Sequence, residues 1–123
     1  MKQLLIAGLF ATMLLTGCGP STDDLRTQGI AEFQVGHLDK AQSLFDRVLE
    51  RKPSDGQSLY YMGRIYHATG FYERAVYFYG SAIDADPSLD MARLWLLRAN
   101  SDLANMSRMP ASIPPQPPAP ATP

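Results

Sequence analysis

Apolar side chains recur every three or four positions between residues 22 and 106, with polar side chains between them. This spacing is the period of an α-helix that buries one face. Glycines at positions 36 and 70 and prolines at positions 53 and 87 interrupt the pattern. Such glycines end helices in a left-handed conformation, and proline cannot continue a helix. The pattern therefore predicts four helices, near residues 22–35, 38–51, 55–69 and 72–85.

A fifth helix is predicted after Pro87 and runs to about Met106. Ser88 is a favourable N-cap residue, and we expect it to begin this helix. The helix contains the apolar run Leu94-Trp95-Leu96-Leu97, and four consecutive residues cover about 300° of a helix circumference. Part of this run must face away from the neighbouring helix, so we expect an exposed apolar patch.

The first four helices form two similar units of 34 residues each. Aligning the chain with itself at this offset matches Leu25 with Leu59, Gly29 with Gly63, Gly36 with Gly70, Ala41 with Ala75, Phe45 with Tyr79, Leu49 with Ile83 and Pro53 with Pro87. Internal repeats of this length indicate stacked helical hairpins that share one continuous core. We place the two units at about residues 22–55 and 56–89, followed by a capping helix at 89–106.

The small residues of each unit predict where its two helices cross. Gly29 and Gly63 lie on the first helices, and we expect them to oppose Ala41 and Ala75 on the second helices, because close crossings need small residues. Gly80 lies within a helix, where glycine costs about 1 kcal/mol relative to alanine. We therefore expect a close neighbour that leaves no room for a side chain at Gly80.

The second unit resembles the tetratricopeptide repeat (TPR), and the residues that carry the resemblance are Leu59, Met62, Gly63, Tyr66, Ala75, Tyr79 and Pro87. The first unit matches less well, since Gln28 and Glu32 replace an apolar residue and a tyrosine. The resemblance implies an all-α fold, a fragment of an α-solenoid made of two TPR-type helical hairpins and a C-terminal capping helix.

In TPR proteins the first helices of successive units line a concave groove that commonly binds a peptide of a partner protein. The resemblance places ten residues on this surface: Arg26, Ile30, Phe33, Tyr60, Tyr61, Arg64, His67, Leu94, Trp95 and Arg98. Aromatic rings and guanidinium planes stack on apolar and proline-containing segments, so such a segment is the expected ligand. The alternative is that these aromatic side chains only pack between helices.

The TPR domains that bind chaperones clamp a C-terminal carboxylate with Lys, Asn and Arg at five positions of this groove. The corresponding positions here hold Arg26, Ile30, Tyr61, Met91 and Trp95. Four of the five depart from the family pattern. We therefore do not expect a carboxylate clamp.

The first residues resemble the leader of a bacterial lipoprotein. An uncharged apolar run from Leu4 to Leu15 follows Lys2 and is shorter than the roughly 20 residues of a membrane-spanning helix. Residues 15–18 match the lipobox, Leu-[Ala/Ser/Thr]-[Gly/Ala]-Cys. The resemblance implies that residues 1–17 are a signal peptide and that Cys18 carries a lipid anchor. An ordinary secreted protein with a free thiol is the alternative.

The lipid would hold the chain on a membrane through its acyl chains. Gly19, rather than Asp, follows the lipidated cysteine, and in two-membrane bacteria this favours the periplasmic face of the outer membrane over the inner membrane. We divide the rest of the chain into a lipidated linker (18–21), the TPR domain (22–108) and a tail (109–123). The tail contains seven prolines and no charged residue, and we expect it to be disordered.

The composition of the chain narrows the range of possible functions. The net charge is −1 and no basic stretch occurs, so we expect no nucleic-acid partner. The two histidines, His37 and His67, and the single cysteine show no metal-ligand spacing, and we expect no metal, no cofactor and no enzymatic activity.

These features predict a membrane-anchored adaptor that binds a partner polypeptide in the cell envelope. Some small TPR lipoproteins that resemble this chain assist the assembly of outer-membrane secretins or pili, and we keep that role as the narrower hypothesis. The alternative function is a structural envelope protein that self-associates, and a third hypothesis is an accessory subunit of an enzyme without a binding groove of its own. We expect the apolar patch of the capping helix to be covered either by a second copy, in a homodimer, or by a segment of another envelope protein.

Overall fold

The computed structural model describes residues 19–109, which form five α-helices and no β-strand. The helices are α1 (Thr22–Gln34), α2 (Leu38–Arg51), α3 (Gly56–Ala68), α4 (Tyr72–Ala85) and α5 (Asp90–Arg108). The predicted all-α fold is confirmed. The first four helices begin and end within about one residue of the predicted positions, and α5 extends two residues beyond Met106.

The predicted signal peptide, the lipidation site Cys18 and residues 110–123 of the tail lie outside the described residues. No helix among residues 19–109 combines the length and the apolar character that crossing a bilayer requires.

Side chains that precede the helices fix two of the helix starts. The Ser21 hydroxyl accepts a hydrogen bond from the Asp24 backbone N–H at 3.1 Å, and the Asp24 carboxylate accepts one from the Ser21 N–H. This reciprocal pair is a capping box. At the start of α3, the Asp55 carboxylate accepts a hydrogen bond from the backbone N–H of Ser58 at 3.0 Å.

The predicted start of α5 was wrong, because the N-cap residue is Leu89 and not Ser88. The backbone N–H and the hydroxyl of Ser88 both donate to Oδ1 of Asp86, at 3.0 and 2.6 Å. The carboxylate two residues earlier therefore holds Ser88 in a local turn, which takes its side chain away from the helix.

Gly36 and Gly70 have φ angles of 85° and 83°, and these are the positive-φ glycines of the described chain. Each lies in the short connection between the two helices of its unit. The left-handed conformation predicted for both residues is confirmed, and it explains the glycine at equivalent positions of the repeat.

The glycines at the helix crossings face aromatic rings. A Cβ atom built on Gly29 would lie 2.8 Å from the Phe45 ring, and one built on Gly63 would lie 2.6 Å from the Tyr79 ring. The predicted alanine partners at positions 41 and 75 are therefore not the nearest neighbours. Each alanine lies one helical turn earlier than the ring, and an aromatic side chain fills the space that the glycine leaves.

The expectation for Gly80 was also wrong, since nothing lies within 4 Å of a Cβ atom built there. Gly80 lies on α4 at a half-buried position. Periodicity gave no means to distinguish a glycine that a neighbour requires from one that faces open space.

The core runs through the stack in contiguous clusters. Ala41 and Phe45 of the first unit pack with Met62 and Ile65 of the second. Ala75 and Tyr79 of the second unit pack with α5 at Ala99. Connections of three or four residues join successive helices, so neighbouring helices run antiparallel.

The helix α5 closes the stack. It packs on α4 and, less extensively, on α3. Its outer side leaves Leu94 and Leu97 59% and 69% exposed, which confirms the expected apolar patch on this helix.

Candidate functional site

The first helices of the two units and the capping helix share one surface, because α3 contacts both α1 and α5. We call it the α1–α3–α5 surface. The ten residues predicted for partner binding belong to these three helices. The structure brings seven of them into one connected group, which consists of Phe33, Tyr60, Tyr61, Arg64, His67, Trp95 and Arg98.

Arg64 lies at the centre of this group. Its guanidinium carbon is 3.9 Å from the ring centroid of Trp95, 5.4 Å from that of Phe33 and 5.8 Å from that of Tyr60. These distances are in the range of cation–π attraction. Nη1 also donates a hydrogen bond to the Tyr60 hydroxyl at 2.9 Å. One arginine of α3 therefore joins side chains from α1, α3 and α5.

The rings continue from Arg64 toward the first unit. The centroids of Tyr60 and Tyr61 are 5.1 Å apart, and those of Tyr61 and Phe33 are 5.3 Å apart, both pairs meeting edge to face. Tyr61 also stacks on the buried ring of Phe45, at 5.4 Å. Edge-to-face and offset pairs at such distances are favourable. The half-buried rings at the surface are therefore held in place by the core below them.

His67 and Arg98 converge on Asp102 of α5, a residue that the sequence analysis did not single out. Nε2 of His67 is 2.8 Å from Oδ2 of Asp102, and Nε of Arg98 is 3.4 Å from the same oxygen. The His67 hydrogen bond, more than Arg98, lowers the pKa of Asp102. His67 and Asp102 are about one repeat apart in sequence, a spacing that indicates neighbouring helices but not which side chains meet.

Trp95 lies at the junction of α3 and α5. Besides its contact with Arg64, its ring meets the His67 ring edge to face at 5.3 Å and packs against the cluster around Tyr79. The indole N–H is buried and has no acceptor among residues 19–109. A buried donor without an acceptor costs about 1–3 kcal/mol, and this cost lies at the junction of the two helices.

Arg26 and Ile30 have different surroundings from the other predicted site residues. The guanidinium of Arg26 pairs with the carboxylates of Asp23 and Asp55, and Asp55 is buried at the start of α3. Ile30 packs against the core cluster that joins the two units. The contacts of both residues within the domain therefore stabilise the packing of α1 on α3.

Leu94 lies outside the connected group. It lines a shallow apolar depression of about 370 Å³ on α5 together with Met91, Trp95, Leu97 and Arg98. Among residues 19–109, no group of three His, Cys, Asp or Glu side chains is arranged to hold a metal ion. Stacking and apolar contact are what this surface offers to a ligand.

Two helical hairpins with a shared core, closed by a capping helix, define the fold as a short α-solenoid. Residues 26–90, more than half of the chain, match the family model of the tetratricopeptide repeat. The chain belongs to the tetratricopeptide repeat family, whose members are protein-interaction modules.

A solved structure with the same fold is the Sgt2 TPR domain from Aspergillus fumigatus, which is 27% identical to this chain with a TM-score of 0.64. The similarity covers 72% of this chain and 59% of that one, so the chain spans somewhat more than half the length of this relative. The comparison with curated proteins gave no match.

Proposed function

We propose that the protein is an adaptor of the bacterial cell envelope, anchored through a lipid on Cys18, whose α1–α3–α5 surface binds an extended segment of a partner polypeptide. The observation that carries the proposal is the unbroken row of groups in contact, aromatic rings and one guanidinium, from Phe33 through Tyr61, Tyr60 and Arg64 to Trp95. The row crosses three helices, as an extended ligand would.

The chemistry of the row favours an apolar or proline-containing segment. Flat aromatic faces and a guanidinium plane stack on proline rings, whose extended conformation costs little entropy to bind. Arg64 and Arg98 lie along the surface, while the neighbouring carboxylate of Asp102 already accepts from His67. A segment rich in Lys or Arg is therefore disfavoured.

Binding is tested with residues 19–123 and a library of extended peptides, read by the fluorescence of Trp95, the single tryptophan of the chain. Arg64→Lys keeps the charge but loses the planar group that contacts Trp95, so we expect affinity to fall by about threefold to tenfold. The matched control is Arg74→Lys, since Arg74 makes cation–π contacts of 5.4 and 5.8 Å with Tyr66 and Phe71, outside the proposed site.

Equal affinity of the two variants would contradict the proposed site, as would a library in which no extended peptide binds. Thermal melts of both variants distinguish lost binding from lost stability.

The anchor is tested separately. In cells fed labelled palmitate, we expect the wild-type chain to incorporate label and Cys18→Ser to incorporate none. Labelling of the variant at the wild-type level would refute lipidation at this residue. Recovery of the wild-type protein only in inner-membrane fractions would refute the proposed outer-membrane location.

The narrower role, assistance in secretin or pilus assembly, predicts a specific defect in cells that lack the protein. We expect fewer assembled secretin or pilus multimers, with recovery by the wild-type gene and not by the Cys18→Ser form. Normal multimer levels in the deletion strain would exclude this role and leave the adaptor proposal standing.

A further inference from the structure

The apolar face of α5 occupies a particular place in the fold. In each unit the first helix packs extensively against a second helix, as α1 does against α2 and α3 against α4. The helix α5 continues the series of first helices, yet no second helix follows it within residues 19–109. Met91, Leu94 and Leu97 form an exposed stripe there, three residues apart, beside the depression of about 370 Å³.

Leu97 restricts what can cover the stripe. It stands 34 residues after Gly63 and 68 after Gly29, the two positions where an aromatic ring of a second helix comes closest. A leucine side chain at this position fills the space that the ring would need. The occupant is therefore not a repeat of the hairpins in the stack but a helix that packs its own apolar side chains at an ordinary interhelical distance.

Charged residues flank the stripe symmetrically. Asp90 lies four residues before Leu94 and Arg98 four residues after it, and their side chains are 94% and 70% exposed. All three lie on one i, i+4 ridge of the helix. In an antiparallel pair of such helices related by a two-fold axis at Leu94, each Asp90 comes beside Arg98 of the second copy, and each Met91 beside Leu97.

We infer that α5 pairs antiparallel with α5 of a second copy of this chain, so that the stripe forms the centre of a homodimer. Such an interface is isologous, because the same patch serves both copies. The ion pair of Asp90 with Arg93, at 2.9 Å, is exposed, so breaking it costs little. Arg98 is exposed as well, and its partner Asp102, at 3.4 Å and half-buried, keeps its contact with His67 when Arg98 turns to the second copy. The inference does not depend on the proposed binding of a peptide by the α1–α3–α5 surface.

The extent of the contact sets the expected strength. A helix of 19 residues is about 28 Å long, and one helix per copy gives an interface at the lower end of the range for specific dimers. The dimer is therefore concentration-dependent, and sedimentation of residues 19–123 over a wide concentration range should show monomer at the lowest and dimer at the highest.

The first variant tests the stripe. Leu94→Asp places two carboxylates at the centre of the interface, and we expect the dissociation constant to rise about tenfold or more. Val35→Asp is the matched control, because Val35 is 67% exposed on the connection between α1 and α2 and should leave association unchanged. Circular dichroism should show wild-type helical content in both.

A second set of variants tests the two-fold arrangement. Each single substitution, Asp90→Arg or Arg98→Asp, brings like charges together at both of the symmetry-related contacts between positions 90 and 98. Each should therefore weaken the dimer. The double variant with both substitutions restores opposite charges and should recover most of the affinity. Such recovery is expected of two copies that meet through one patch, and not of an unrelated partner.

Four results would overturn the inference, and the last of them concerns its antiparallel geometry. The first is a chain that stays monomeric at all concentrations, and the second is a dimer that Leu94→Asp leaves intact. The third is dimerisation by residues 19–109 but not by residues 19–123. This result would mean that the chain's own Pro-rich segment covers the stripe and prevents pairing. Failure of the charge reversal to restore association would exclude the antiparallel geometry.

Discussion

The two repeat units make the same close contact between their helices but differ at the position before the glycine of that contact. In both, a glycine of the first helix receives an aromatic ring of the second, Phe45 at Gly29 and Tyr79 at Gly63. The position before that glycine is exposed Gln28 in the first unit and buried Met62 in the second. The contact between glycine and ring is thus the same in both hairpins, while the burial of the preceding residue differs.

The difference follows from where each first helix lies in the stack. The helix α3 lies between α2 and α5 and must fill space on both sides, whereas within residues 19–109 α1 has a neighbouring unit on one side only. Departures from the repeat pattern in the first unit therefore mark the end of the stack rather than a weaker fold. Substitutions at matched positions of the two units test this interpretation.

The largest contrast is expected at the position before the glycine. Met62→Ala removes a side chain that packs with Ala41, Phe45 and Ile65, and should lower the free energy of unfolding by about 2–5 kcal/mol. Gln28→Ala removes an exposed side chain and should change it by less than about 0.5 kcal/mol. Urea unfolding of both variants measures the contrast, and equal losses would show that α1 is packed on both sides.

The next contrast concerns the helix caps. Asp55→Ala removes the α3 cap and the buried partner of Arg26, and should cost about 2–3 kcal/mol. Ser21→Ala removes an exposed cap at α1 and should cost about 0.5–1 kcal/mol. If the two variants melt at the same temperature, the pairing of Arg26 with Asp55 does not contribute to the packing of α1 on α3.

The same carboxylate predicts a pH dependence. Burial raises the pKa of Asp55, but hydrogen bonds from Ser58 and the Arg26 charge together lower it by more, to below its ordinary value of 3.8. A lowered pKa stabilises the fold above the unfolded-state value, and this stability is lost as the pH falls through the folded-state pKa. Unfolding from pH 7 to about 2.5 should show this loss below about pH 4.

The control for this titration is Asp55→Asn, which should flatten the pH dependence without abolishing it. The pKa values of Asp24, Asp86 and Asp102 are lowered as well, so these residues continue to contribute. A variant with the full wild-type slope would exclude Asp55 as a source of the acid sensitivity.

The glycine contact should be similar in both units. Gly63→Ala forces a Cβ atom against the buried ring of Tyr79 and should cost about 1–3 kcal/mol. Gly29→Ala meets the Phe45 ring at a slightly greater distance, 2.8 Å instead of 2.6 Å, and should cost the same or somewhat less. A wild-type melting temperature for Gly63→Ala would mean that the ring moves aside without penalty.

The smallest effect has the opposite sign. Gly80→Ala adds a methyl group in open space within a helix and should stabilise the protein by about 0.5–1 kcal/mol. Gly36→Ala is the control, since a positive φ of 85° is unfavourable for alanine and stability should fall. Destabilisation by Gly80→Ala would show that a neighbour closes on this position in solution.

The sequence predicted the helices and turns well because these depend on local patterns. The two left-handed glycines and the proline-marked helix ends are properties of single positions, and the 34-residue offset repeats them. Ser88 was misassigned because a capping hydroxyl must accept from a backbone N–H of the helix, whereas this hydroxyl donates to the nearby carboxylate of Asp86. The local sequence pattern therefore predicts where the helices lie, but not which of several neighbouring polar groups forms a given hydrogen bond.

The site was less predictable, since its contacts join side chains from different helices. The repeat placed Arg64 and Trp95 on the same surface, but the cation–π contact between them depends on the rotamers of both. Asp102 gave no signal in the sequence, and its role follows from its position beside His67 in the folded chain. Periodicity identifies which helix faces meet. Which side chains pair on those faces can be seen only in the folded structure.

An odd number of antiparallel helices gives the domain a direction. The chain enters at Pro20, whose carbonyl oxygen accepts a hydrogen bond from Arg51 at the end of α2, and leaves at Met109 after α5. With five helices these two points lie on opposite edges of the stack, separated by about the length of one helix, some 20–28 Å. A surface that held residue 19 would therefore face the edge of the stack opposite the end of α5.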